Sequence, residues 1–274
     1  MLIYATIIGE KVGVIMDKYL NQFNDESNII EYLQTEDLIH REPFIFPNRN
    51  NKQLKMKEIL DCIINKNIFN DNWIDNSKNT NNPPDYYSNS LRLMMDVMRF
   101  NDFEIVENDK VKNPQLQHES KSFKELKEKG IMDMFPNANL FVNLNTGVPS
   151  SYENYIKSFK RVIAKHDDSF AEYKKNHHNF KLIYLLFDES EYIYYENYEE
   201  DLMGLNRLRE NVNIHYHYLD INFLNVIKKS KADYVIWFAP YKQNAKWGDF
   251  LEQISIFDVK NMDIAKGKIF RNLK

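Results

Sequence analysis

Apolar residues follow two rhythms along this chain, and each rhythm predicts its own elements. Val14, Ile15, Tyr19, Leu20, Phe23, Ile29, Ile30 and Leu33 recur at helical spacing, which predicts one or two helices over 14–34. A loop with Pro43 and Pro47 follows. Gln53–Asn65 places Leu54, Ile59, Leu60, Ile63 and Ile64 on a helical face. Residues 65–82 are asparagine-rich, lead into Pro83-Pro84, and read as a loop or linker. Beyond them the pattern changes to short apolar runs. Strands are expected near 91–98, 139–145, 181–187, 212–218 and 234–238. Phe103–Val106 is expected to pair with the first of these across a turn at Asn101-Asp102, and Tyr192–Tyr195 to return against the third. The run at 181–187 is almost wholly apolar, as suits a central strand covered on both faces. Residues 212–218 alternate apolar side chains with Asn213, His215 and His217, as a half-exposed strand would.

Between the strands, Gly130 predicts the stop of a helix around Ser120–Lys129. Pro149-Ser150-Ser151 opens a long helix whose apolar stripe runs from Tyr152 through Phe159 and Phe170 to Tyr173. Asp220 is placed to cap a helix over 221–229, giving a strand–helix–strand unit with parallel strands at 212–218 and 234–238. The fold class is therefore α/β: a mixed central sheet with flanking helices and a helical N-terminal part. The division is a helical region with its Asn-rich connection at 1–82 and an α/β body at 83–274, together one structural unit.

Composition narrows the function. The chain has 274 residues, 43% of them hydrophobic, with 18 Phe and 17 Tyr, enough to bury a sizeable core. Its formal net charge of −4 supplies no general basic field for nucleic acid, although a local basic groove remains compatible with it. Cys62 is the single cysteine, so an internal disulfide or a cysteine-based zinc cluster is excluded. Only seven glycines occur, and neither GxGxxG nor GxxxxGK[ST] is among the motifs. Nucleotide-cofactor enzymes of the Rossmann and P-loop kinds are disfavoured accordingly. No apolar run approaches the roughly 18 residues of a membrane span. The opening Met1–Ile8 lacks the basic flank of a secretory signal. The expectation is a cytoplasmic protein with no membrane partner.

The most informative chemistry lies in Leu93-Met94-Met95-Asp96-Val97-Met98, an apolar run holding one carboxylate. Burying an ionised carboxylate costs several kcal/mol unless it is paired, hydrogen-bonded or bound to metal. Ten residues separate this carboxylate from Pro84-Asp85 upstream. A Pro-Asp, a spacer and an acid on a strand, within the order helix, strand, strand, helix, strand from residue 53 to residue 187, resembles the core of the restriction-endonuclease-like superfamily. In that family two acids hold Mg²⁺, and a lysine two residues after the second acid orients the attacking water. The resemblance implies Asp85 and Asp96 as catalytic and metal-binding residues, with Mg²⁺ the cofactor of a nuclease. Here the lysine position is Met98, and the nearest cation, Arg99, falls on the opposite strand face. Arg99 joins the catalytic candidates only if the strand is bulged. Asn143 and Asn145 on the next strand share a face but are neutral.

Other residues compete for attention. Asp188, followed by Glu189, leaves the central strand where α/β sheets gather ligands, which makes Asp188 a further metal candidate. As a polar strand exit, the pair also has an ordinary explanation. Glu58 is a helix acid able to join Asp96, or a surface residue. His215 and His217 share a strand face without an evident third ligand, and His177-His178 end a helix, so both pairs read as structural or surface groups. Cys62 sits among isoleucines as a buried, inert thiol. Ser150 and Ser151 read as helix caps. The tyrosines at 86–87, 192–198 and 216–218 are able to stack bases, though core packing accounts for most of them. Two functions stand side by side. One is a non-catalytic or weakly active endonuclease-like protein that binds an unidentified protein or nucleic acid. The other is a Mg²⁺-dependent nuclease.

Overall fold

The computed structural model describes residues 26–35, 42–50, 53–78, 84–102, 121, 124–130, 150–190, 193–196, 213–242, 251–271 and 273, with backbone alone at 4–5, 105–107, 110–112 and 140–141. Its centre is a mixed seven-stranded sheet. In chain order the strands are β1 (Phe44–Ile45), β2 (Ile74–Asp75), β3 (Tyr86–Ser88), β4 (Leu93–Phe100), β5 (Lys181–Asp188), β6 (Tyr234–Phe238) and β7 (Ile254–Asp258). Across the sheet they run β1-β7-β6-β5-β4-β3-β2. β4, β5 and β6 are parallel, β2–β3–β4 form an antiparallel meander, and β7 runs antiparallel to β6.

Period-two alternation divides the core into two layers. Met95, Val97, Ile183, Leu185, Phe187, Ile236 and Phe238 face one side. There they meet α1 (Glu26–Leu33), α2 (Gln53–Ile64) and α3 (Lys66–Asn72). Met94, Met98 and Phe100 of β4, Leu182, Tyr184 and Leu186 of β5, and Val235 and Trp237 of β6 face the other side. They meet α4 (Tyr152–Asp168), α5 (Phe170–Asn176) and α6 (Ile221–Lys229). Burial is what fixes the helices of the first layer: Leu33, Met56, Leu60 and Ile63 are fully buried, each contributing about 1.5–3 kcal/mol relative to exposure. No described helix is long and apolar enough to cross a membrane. Strands β1 and β2 place the region before residue 83 in the same sheet as the body after it.

Several expectations are corrected. The stretch 65–82 is not all loop, because it contains α3 and β2. Asn65 starts α3 by accepting from Asn67 N–H and Ile68 N–H at 3.1 and 3.2 Å, and Phe69 and Trp73 anchor it in the core. Ile105–Glu107 pairs with Lys110–Lys112 rather than with β4. Tyr195–Glu196 pairs with Asn213–Ile214, so neither segment joins the main sheet, and the parallel partner of β6 is β5. Residues 217–219 form a 3-10 turn, and His215 and His217 are buried rather than half-exposed. Aromatic packing on every side outweighed the strand-like alternation. The predicted long helix is interrupted at Ser169, where α5 begins. Of the strand expected at 139–145, Leu140–Phe141 pairs with Tyr4–Ala5; Asn143, Asn145, Thr146 and Gly147 lie outside the described residues.

Candidate functional site

The β3–β4 hairpin builds the site. Its register pairs Tyr86 with Met95, Tyr87 with Met94 and Ser88 with Leu93. One step beyond Tyr86–Met95, away from the turn, Asp85 comes opposite Asp96. The backbone of Asp85 is fixed by Asn76, whose N–H donates to its carbonyl at 2.7 Å and whose side chain donates to Pro84 O at 3.0 Å. The Asp85 side chain continues the ladder in place of backbone: Oδ2 accepts from Val97 N–H at 2.7 Å. Its carboxyl lies close enough to that of Asp96 for the two charges to repel. Burial, followed by the charge of Asp96, pushes Asp85 up to about 8, with Glu26 at the start of α1 adding to the repulsion and Val97 N–H opposing it. Asp85 therefore keeps its proton through the neutral range, or needs a cation to give it up.

Asp96 points from β4 toward α4 and is 3% exposed. Its Oδ2 accepts from Tyr173 OH at 2.6 Å and is hydrogen-bonded to Nδ1 of His166. With a carboxylate as partner, Nδ1 carries the proton, and the half-buried ring leaves Nε2 on its far side. Tyr173 is held well above the usual phenol range by burial and by Asp96. Next to this group, Tyr184 OH donates to Asp167 at 2.9 Å, and Lys231 N–H donates to the same oxygen at 2.8 Å. The result is a chain of contacts, Asp85–Asp96–His166/Tyr173, joining the hairpin to α4 and α5. The break at Ser169 lets both helices reach one oxygen.

The other sequence candidates lie elsewhere. Arg99, one residue past Met98, pairs with Glu189 and not with the acids. Met98 is buried in the core on the α4 face. Asp188 is fully buried at the carboxyl end of β5, where it accepts from Tyr155 OH, Trp237 Nε1 and Ser190 N–H, apart from the acid pair. Glu58 is exposed on α2; the helix acid electrostatically close to Asp85 is Glu26. Cys62 is half-buried, and burial with Asp61 and Glu58 pushes its thiol up. His177 packs at 4.5 Å on Tyr87, and burial lowers its basicity. Ser151 caps α4 by accepting from Asn154 N–H at 3.1 Å.

Sequence reasoning missed His166, Glu26 and the polar use of Tyr173. One signal was present: a buried acid on a strand requires donors, and His166 and Tyr173 stand seven residues apart along the helical stripe that covers it. Glu26 carried no comparable signal.

Among the described residues no group of three His, Cys, Asp or Glu side chains is arranged to hold a metal ion. A hard divalent cation still suits the donor set, because Mg²⁺ is commonly held by one or two carboxylates and completed by water. The chain matches no family model, no curated protein and no solved structure with which it was compared.

Proposed function

We propose that this chain is a weakly active, metal-dependent phosphodiesterase of restriction-endonuclease-like build that acts on nucleic acid. The observation that carries the proposal is the Asp85–Asp96 carboxyl pair on the β3–β4 hairpin, with Asp85 pushed up to about 8. Crowding two acids in a buried place opposes folding, and such arrangements concentrate at functional sites. Asp85 and Asp96 are the residues that would hold the cation, which supplies charge neutralisation at the phosphate and a more acidic water. Val97 N–H orients Asp85, and Tyr173 and His166 orient Asp96. Met98 adds no positive charge, which limits the rate; losing one such stabilising group costs roughly two to three orders of magnitude.

The test incubates single- and double-stranded DNA and RNA with Mg²⁺ or Mn²⁺, using the wild type, Asp85→Asn and Asp96→Asn. Slow cleavage by the wild type and none by either variant is expected, together with calorimetric Mg²⁺ binding that both substitutions abolish. Absence of cation binding in the wild type would refute the proposal. A second reading, nucleic-acid binding without cleavage, is favoured by the burial of Met98 at the lysine position. It predicts cation-dependent retention of DNA or RNA with no product.

A further inference from the structure

We infer that the carboxyl ends of β4, β5 and β6 enclose a second binding site, for a small hydroxylated amine in its protonated form. Its position is independent of the Asp85–Asp96 pair. Each parallel strand sends one charged side chain to this end: Asp102 after β4, Asp188 at the end of β5 and Lys242 after β6, all at most 3% exposed. Lys242 Nζ lies 4.5 Å from the ring centre of Tyr155 and 5.9 Å from that of Tyr194. Trp237 and His217 pack beside them with ring centres 4.7 Å apart.

Two of the three acids here are fully engaged. Asp188 accepts from Tyr155, Trp237 and both the N–H and hydroxyl of Ser190. Asp220 accepts from Tyr152 OH at 2.6 Å and Asn222 N–H at 2.8 Å, and pairs with His215 at 2.7 Å. Asp102 is different. Its Oδ2 accepts from Tyr194 OH at 2.9 Å, while its Oδ1 has no hydrogen-bond partner among the described residues. The same holds for both ring nitrogens of fully buried His217, for Gln253 Oε1 and for Ser255 Oγ. These residues belong to one end of the molecule. Gln253 is tied to Pro240 O at 2.7 Å, two residues from Lys242, and Ser255 lies opposite Trp237 across the β6–β7 ladder. Lys242 is close enough to His217 to lower its basicity further than burial alone.

Buried polar atoms left open in this way are normally completed by water, an ion or a ligand. The character of the open atoms selects among ligands. Asp102 Oδ1, Gln253 Oε1 and one nitrogen of His217 accept, while the other nitrogen and Ser255 Oγ can donate. Asp188 and Asp102 face the Lys242 ammonium, burial pushes Asp102 up, and both imidazoles are pushed toward the neutral form by burial. Among the described residues the open acceptors of the cluster therefore outnumber its open donors. An ammonium group supplies donors, aromatic walls favour it, and a hydroxyl meets the remaining donors. An anion would meet the open acceptors of Asp102 and Gln253.

The probe is ethanolamine, with methylammonium, tetramethylammonium and sodium chloride at equal ionic strength. Thermal melts of the full chain are expected to show a saturable rise of melting temperature with ethanolamine, a smaller one with methylammonium and none with tetramethylammonium, which has no N–H. The rise should vanish in Asp102→Asn, which keeps an acceptor for Tyr194, and weaken in Gln253→Leu. Should Asp102→Asn fail to fold, Gln253→Leu and calorimetry on the wild type carry the test. Equal response to every salt, or a crystal grown with ethanolamine that shows only water on Asp102 Oδ1 and His217, would overturn the proposal.

Discussion

Replacing Asp85 with asparagine should alter how stability depends on pH more than it alters stability itself. Asp85 is shifted from an ordinary 3.8 to about 8 in the folded chain. Between those values the folded state binds more protons than the unfolded one, so stability falls as pH rises and levels off above about 8. The largest possible loss, about four pH units at about 1.4 kcal/mol each, is on the order of 5 kcal/mol. That is a large share of the roughly 5–15 kcal/mol of net stability usual for a domain. The substituted amide can still accept from Val97 N–H and can donate to Asp96, so it mimics the protonated acid at every pH. Urea unfolding near pH 5 should give the wild type and Asp85→Asn similar midpoints. Near pH 9 the variant should be the more stable. Mg²⁺ should recover part of the wild-type deficit at the higher pH and leave the variant unchanged, since a cation that binds only the folded state stabilises by mass action. Parallel pH profiles for the two proteins would refute the reasoning, because they would mean that Asp85 is not forced to hold a proton.

His166→Ala should cost about 2–3 kcal/mol in urea unfolding by leaving buried Asp96 with Tyr173 alone, and Tyr173→Phe about 1–2 kcal/mol. Asp188→Ala strips acceptors from Tyr155, Trp237 and Ser190 and should cost about 3–5 kcal/mol, with an altered tryptophan emission reporting the loss at Trp237. Arg99→Ala breaks a partly exposed pair with Glu189 and should change stability by no more than about 1 kcal/mol. A cost several times larger would show that Arg99 does more than pair with Glu189.

The strands β4, β5 and β6 were legible because their apolar runs are continuous and bounded by polar residues, as sheets covered on both faces require. The same reasoning failed over 212–218. Tyr216 and Tyr218 alternate with His217 as a strand would, but His217 is buried against Trp237 and the segment turns into a 3-10 helix. Periodicity reports which side chains are apolar; it does not register an imidazole buried by aromatic neighbours. The acid pair was half legible. Asp85 and Asp96 could be singled out from spacing and from the cost of an acid among methionines. Their helical partners could not, since His166 and Tyr173 reach Asp96 across some 70 residues of chain. The burial of Lys242 left no trace in the sequence, and no other described lysine is buried.

The hairpin register gives the ten-residue gap between Asp85 and Asp96 a meaning as a length. Three residues climb in β3, four make the turn, and three descend in β4. The turn ends at Arg92, whose φ of +52° places a residue with a side chain in the left-handed region. The two acids therefore stand at one height above the turn, three ladder rungs up. Lengthening both strands by one rung would move them together and preserve their contact with a spacer of twelve. Inserting a single residue into either strand would send one acid to the other face while leaving the sheet intact. In chains built this way, the parity of the spacer matters more than its length.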